Sequence, residues 1–330
     1  MMKDKIEKDC HRVSGCETIS DPFEHEICER LTDYLLDEYE KERHEFADNP
    51  DMLYKLNVHF PAVYDVAKKI APDDEIIQLA ALYHDYGRVI QFRKNGDFND
   101  RGAGSSEDHH VLGYEKFLLD APRIIEDDKR IPLLAIQESI KSGVIHKVSK
   151  AILLHGLRGI VFDEEFAKLD NETKNVVDVI SQIDDVANGT QCVGYLLRES
   201  QEHSKNVSRG GFIPDENEDL KTVSPKVMEC FRKCIDFDYY RDCKTYADYC
   251  ISGAFLAIRS LKDPDTRDIA REMMSQPTTV AQYLDIDGED VLVSKQFDSA
   301  MEAFEYILFN QLEEADAREA YSIMLKYYNG

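Results

Sequence analysis

No apolar run in this 330-residue chain approaches the roughly 18 residues that a bilayer-crossing helix needs, which argues against a membrane span and for a soluble protein. Basic side chains are also scarce. Against 65 aspartates and glutamates stand 40 lysines and arginines, and the formal charge of -25 repels a polyanionic duplex, so nucleic-acid duplexes are not expected partners. A small phosphorylated ligand stays compatible if bound cations or local arginines offset that field. The eight cysteines form no CxxC pair and no regular spacing, so reduced thiols are the simplest reading. Residues 1–9 carry Lys3, Asp4, Lys5, Glu7 and Lys8 without the apolar core of a secretion signal, and a cytoplasmic location is expected. There is no sustained two-residue alternation, no internal repeat and no low-complexity tract. What remains is helical periodicity, and an all-α fold follows.

The length allows one large or two ordinary domains. The composition divides it into a polar N-terminal arm at 1–20, a helical core at 21–200 and a C-terminal helical extension at 201–330, packed on the core as one body. Ser20, Asp21 and Pro22 open a helix whose Ile27, Leu31, Tyr34 and Leu35 recur at helical spacing; Asp48, Asn49 and Pro50 close it. In the segment 52–70, Pro61 is expected to push Phe60 out of helical geometry, which places His59 at or just before a helix start. Asp73 and Asp74 cap a helix running through Ile76, Ile77, Ala80 and Ala81 to His84, and Gly87 permits a tight exit. Residues 91–108 are polar and glycine-bearing, as a functional loop over a site would be.

Further on, Asp108, His109 and His110 open a helix, a helix from about Lys147 carries His155, and Asn171 and Glu172 begin one that delivers Asp184 and Asp185. Residues 201–224 read as an exposed excursion. Helices then return at 227–234, 246–260, 266–274, 297–309 and 315–328, with 290–294 as a short extended segment.

Each histidine and aspartate singled out above lies at an end or on the inner face of an expected helix. His59, the adjacent His84 and Asp85, the pair His109 and His110, His155, and the pair Asp184 and Asp185 together offer imidazole nitrogens and carboxylate oxygens. Such a set suits two divalent transition metals about 3.5–4 Å apart with Asp85 bridging them. One site accounts for all of them more simply than separate coincidences.

In this order the residues resemble the HD-domain superfamily of metal-dependent phosphohydrolases, whose ligands run H…HD…H…H…D. The chain is more closely similar to uncharacterised bacterial HD proteins with an HDxGRxxQ signature, present as His84-Asp85-Tyr86-Gly87-Arg88-Val89-Ile90-Gln91. The segments Phe98-Asn99-Asp100 and Asp108-His109-His110-Val111-Leu112-Gly113 are similar to that group's FNDR and DHxxxG motifs. The resemblance implies a helical bundle and the metal ligands His59, His84, Asp85, His109, His155 and Asp185. It selects His109 over His110 because His109 stands four residues before Gly113, with Asp108 placed to orient it. It selects Asp185 over Asp184 because Asp185-Val186-Ala187-Asn188 falls where the family has Asp-x-Leu-Asp.

The implied activity is hydrolysis of a phosphomonoester or phosphodiester, of a nucleotide-like small molecule, by hydroxide held on divalent cations. Two cations are expected, drawn from Mn, Fe, Co, Ni, Mg and Zn. Arg88, one helical turn past His84, is expected to take the substrate phosphate, because its planar fork matches phosphate oxygens. Gln91, Arg93, Lys94, Arg101 and Asp108 are further candidates for substrate binding, and a homo-oligomer is left open. Two rival readings are a regulatory module that holds nucleotide and metal without turnover, and a di-iron oxygenase on the same scaffold.

Overall fold

In the computed structural model, residues 23–96, 105–155, 159–191, 221–236, 242–286 and 289–330 are described, and helices dominate them. The N-terminal arm, the Phe98-Asn99-Asp100 segment, Arg101 and most of the 201–224 excursion lie outside the described residues. Contacts divide the chain into two units, one within Met1–Lys41 and Asp73–Ile180, the other within Glu42–Pro72 and Ser181–Gly330.

The first unit begins with α1, Glu24–Glu45, whose Ile27, Leu31 and Leu35 form a fully buried stripe at helical spacing. Helix α1 continues into the second unit. The helix-linking segment Pro50–Tyr54 (α2), a π-type turn at Lys55–His59 and Phe60–Ile70 (α3) belong to that second unit. Back in the first, Asp74 accepts the Ile77 N–H at 3.0 Å and caps α4, Glu75–Tyr83. Two tyrosines lock α4 to α1: the Tyr39 hydroxyl donates to the Leu82 carbonyl at 2.7 Å, and the Tyr83 hydroxyl to that of Leu31 at 3.1 Å. Burial holds the Tyr83 phenol well above its ordinary pKa, so it stays a neutral donor. Helix α5, Tyr86–Asn95, follows after His84 and Asp85, and Gly96 ends it in the left-handed region at φ 73°.

Helix α6, His109–Glu126, packs against α5 and against α8, Val144–Leu154, which in turn packs on α4; α7, Leu133–Lys141, lies between them in sequence. These four helices carry the ends from which the site is built. Helix α9, Gly159–Ala167, and the first half of α10, Asn171–Thr190, complete this unit. Neither α7 nor α9 is foreseen by the sequence reading.

The second unit holds the rest of α10, then α11, Pro225–Lys233; α12, Tyr246–Lys262; α13, Arg267–Met274; a hairpin of β1, Thr278–Ile286, and β2, Glu289–Phe297; α14, Ala300–Gln311; and α15, Glu314–Asn329. Helix α12 starts with a capping box between Thr245 and Asp248. At Gly189 an added Cβ would stand 2.6 Å from the Ala257 nitrogen, so α10 and α12 meet backbone to backbone there.

One expectation is borne out with wider bounds, and another needs correction. The segment expected to be extended over 290–294 is part of an antiparallel ladder that pairs Thr278 with Phe297 and Ile286 with Glu289. The signal was the Asp287-Gly288 dipeptide between the two runs, a pair favoured in two-residue hairpin connections. Secondly, Phe60 is not displaced by Pro61: it sits at φ -61°, ψ -44°, and His59 at φ -66°, ψ -55°, both helical. Proline at the start of α3 lacks the N–H that a first turn leaves without an intrahelical partner, and the π-type turn before it shifts the hydrogen-bond register. Burial of Phe60 outweighs the local bias against helix before proline.

Candidate metal centre

Two helices of the first unit end in the same way. His84 is the C-cap of α4 and His155 the C-cap of α8. Each shares a hydrogen bond between its Nδ1 and a carbonyl three residues back, Ala81 for His84 and Ile152 for His155, both at 2.7 Å. A carbonyl can only accept, so Nδ1 carries a proton, and in the neutral imidazole the lone pair is on Nε2. The last turn of a helix leaves carbonyls without intrahelical partners, and here those groups fix two imidazole tautomers.

Asp85, immediately after His84, takes φ -106°, ψ 12°, which turns the chain into α5 and aims its carboxylate toward the neighbouring helices. Its Oδ1 lies 3.2 Å from His109 Nε2 and 3.5 Å from His155 Nε2, and those two nitrogens are 3.2 Å apart. His84 Nε2 is 3.9 Å from Asp85 Oδ2, and the His84 and His155 rings meet edge-on with centroids 5.2 Å apart. His84, Asp85, His109 and His155 are all buried. A carboxylate and several imidazoles withdrawn from water are costly unless charge and lone pairs are matched.

A divalent cation would match both. Donors about 2.0–2.2 Å from one small cation stand about 3.0–3.5 Å from each other, and the Asp85, His109 and His155 atoms have that spacing. These three residues therefore form a group that could hold a metal ion.

The approach of His109 depends on glycine. A Cβ on Gly87 would lie 1.7 Å from the His109 carbonyl oxygen and 2.7 Å from the Gly113 nitrogen; one on Gly113 would lie 3.1 Å from both the Gly87 nitrogen and Ile152 Cγ2. The glycines of HDxGR and HxxxG thus face each other across α5 and α6. That contact lets α6, which opens with His109, pack closely on α5.

Arg88, on the first turns of α5, places Nε 3.6 Å from Asp85 Oδ1 and donates through Nη1 to Gln91 Oε1 at 3.2 Å. Gln91 and Asp108 are fully buried; Asp108 accepts the Ser105 N–H at 3.0 Å, and Gln91 donates to the Glu107 carbonyl at 3.2 Å. Arg93 and Lys94 are exposed on the last turn of α5, with Lys94 Nζ 3.5 Å from Glu107 Oε1. Arg101 is outside the described residues.

Of the remaining expected ligands, His59 is buried in the second unit. There it faces Asp184, Nε2 to Oδ1 at 3.8 Å, and Asn188 Nδ2 donates to the same Asp184 oxygen at 2.9 Å. Asp185, which the sequence reading preferred, instead has Oδ2 3.2 Å from Arg259 Nη2. Neighbours on a helix point about 100° apart, so only one of the two carboxylates can face His59. The periodicity held the clue: Val177 and Ile180 are buried, and Asp184 continues that stripe, whereas Asp185 follows the exposed Asp178.

Residues 58–189 match the family model of the HD domain. This stretch is an HD domain. It opens one residue before His59 and closes four residues after Asp185, so the matched stretch contains all six expected ligands. No curated protein and no solved structure matches the chain. HD domains bind divalent metals, and this one carries buried histidine and aspartate groups that could hold them. No helix among the described residues is long and apolar enough to cross a membrane.

Proposed function

We propose that the protein is a metal-dependent phosphohydrolase that cleaves a phosphomonoester or phosphodiester of a nucleotide-like small molecule. The observation that carries the reading is the buried triangle of Asp85 Oδ1, His109 Nε2 and His155 Nε2, with sides of 3.2 to 3.5 Å, inside an HD domain. Asp85, His109 and His155 hold the cation, and His59, His84 and an aspartate from α10 serve as ligands in the order the family implies. Asp184 is now the preferred aspartate, because it is the one facing His59. A bound divalent cation supplies Lewis acidity toward a phosphoryl oxygen and lowers the pKa of water.

The chain's own residues do the rest. Asp85 brings the negative charge that neutral imidazoles cannot. His84 and His155, with Nδ1 committed to backbone carbonyls, present Nε2 without a tautomer search. Arg88 takes the phosphate, since its guanidinium stands beside Asp85 on the same face of α5. Arg93, Lys94 and Arg101 add positive charge against the overall acidity of the chain.

The reading is tested by elemental analysis of protein purified without added metal, then by phosphate release from a panel of nucleotides and phosphate esters with and without oxygen. Oxygen-independent release is expected. Turnover only in air would support the di-iron oxygenase, and tight nucleotide binding without turnover the regulatory module. Arg88→Lys is expected to reduce kcat/KM by about tenfold or more, because a point charge does not reproduce the bidentate fork. Unchanged kinetics would take Arg88 out of substrate binding. Replacing His109 and His155 together by alanine is expected to remove one equivalent of metal while the helical circular dichroism signal persists, since each side chain serves as a donor and not as core filling. Parental stoichiometry in that double variant would contradict the ligand assignment.

A further inference from the structure

Gln91 is the fifth and last fixed position of the HDxGRxxQ signature, and its placement does not suit the substrate-binding role that the sequence suggests. Its side chain is fully buried in the described structure. Both ends of its amide are engaged: Oε1 accepts from Arg88 Nη1, and Nε2 donates to the Glu107 carbonyl, each at 3.2 Å. The reverse amide orientation would set N–H against guanidinium N–H and carbonyl against carbonyl, so the network admits one arrangement.

The two partners are informative. Arg88 stands 3.6 Å from Asp85 Oδ1, and Glu107 lies two residues before His109. Lys94 Nζ, from the next turn of α5, approaches the Glu107 carboxylate at 3.5 Å, so the 105–108 turn is held to α5 at two points, and Asp108, which accepts the Ser105 N–H, closes the turn on itself. A long guanidinium side chain at a partly exposed position otherwise loses rotamer entropy whenever it meets an anion. A buried acceptor three residues along the same helix removes part of that cost beforehand.

We infer that Gln91 is a positioning residue that holds the Arg88 guanidinium beside Asp85 in the orientation that receives a phosphoryl group. The inference rests on the phosphohydrolase reading only for what Arg88 binds, since the hold itself is a property of the chain. Gln91 never touches the substrate; it makes Arg88 ready for it. Gln91→Met keeps the length and removes both hydrogen bonds, whereas Gln91→Glu keeps the acceptor for Arg88 and loses the donor to Glu107.

The first measurement follows the Arg88 side-chain Nε–Hε resonance by NMR. It is expected to be ordered in the parent and in Gln91→Glu, and motionally averaged in Gln91→Met. An Arg88 signal that stays ordered in Gln91→Met, or is averaged equally in both variants, overturns the inference whether or not any ester is hydrolysed. The second measurement is calorimetric titration of the metal-loaded protein with inorganic phosphate. Gln91→Met is expected to weaken binding roughly tenfold, as loss of a hydrogen bond to a charged group does, and to have no further effect in an Arg88→Ala background. Equal weakening in both backgrounds would show that Gln91 acts independently of Arg88 and would also overturn the inference. A parent that binds no phosphate, with the NMR result as expected, would sink the phosphohydrolase reading and leave the positioning role standing.

Discussion

Asp85→Ala is expected to strip the metal from the Asp85, His109 and His155 triangle and to lower the proposed phosphohydrolase activity on the order of 10³-fold or more. The carboxylate is the one anionic corner of that triangle, 3.2 Å and 3.5 Å from its two imidazole partners. Without it, a divalent cation faces only neutral nitrogens in a buried pocket, with the Arg88 guanidinium still nearby. The fold should survive, because the interaction lost from Arg88 is 3.6 Å long in the folded protein and the backbone of α4 and α5 does not depend on the side chain. Asp85→Asn provides the sharper comparison, since it keeps the shape and removes only the charge. Both variants are read by elemental analysis and by far-ultraviolet circular dichroism. Parental metal content in either one would mean that the cation is held elsewhere.

Gly87→Ala is expected to be the most disruptive single methyl group that can be added to this protein's site. On intrinsic helix propensity alone, glycine to alanine inside a helix stabilises by about 1 kcal/mol. Here the steric term wins. The new Cβ would lie 1.7 Å from the His109 carbonyl oxygen, and neither that oxygen nor the Gly113 nitrogen at 2.7 Å belongs to a side chain that can swing aside. Helices α5 and α6 must separate, at a cost of roughly 1–3 kcal/mol or more in lost packing, and His109 moves away from Asp85 as they do. Gly113→Ala meets its neighbours at 3.1 Å and needs only a few tenths of an ångström of adjustment, so its effect should be clearly smaller. Urea denaturation of the two variants and their metal content give the order. Equal midpoints, or a Gly87→Ala protein with full metal, would show that the α5–α6 contact does not govern the site.

These two substitutions probe different layers of the same arrangement. Asp85 supplies charge at the vertex where the imidazoles converge, and Gly87 lets α6 come close enough for His109 to reach it. The C-cap histidines add a third layer, since the carbonyls of Ala81 and Ile152 fix His84 and His155 before any ligand arrives. Chemistry, spacing and tautomer are each set by a separate local device.

The sequence by itself determined the helical class and the donor types. The stripe of Ile27, Leu31 and Leu35 is a property of 3.6-residue periodicity, and His84 with Asp85 must follow one another wherever the helix ends. The resemblance to the HD superfamily singled out His109 and His155, which stand at helix boundaries legible in the sequence, one after Asp108 and one before Gly156. Tertiary structure decided what adjacency along the chain leaves open. Whether Asp184 or Asp185 meets His59 is a choice between two directions about 100° apart, and it is resolved by which stripe of α10 is buried and by Arg259 claiming Asp185. Gln91 reads as a substrate ligand in the sequence, and its burial and two hydrogen bonds are what support the positioning role proposed for it. The helical course through Phe60 and Pro61 likewise required packing to outweigh a local preference. Local signals act through bonds and near neighbours, whereas the distances between donors are set by helices that meet only after the chain has folded.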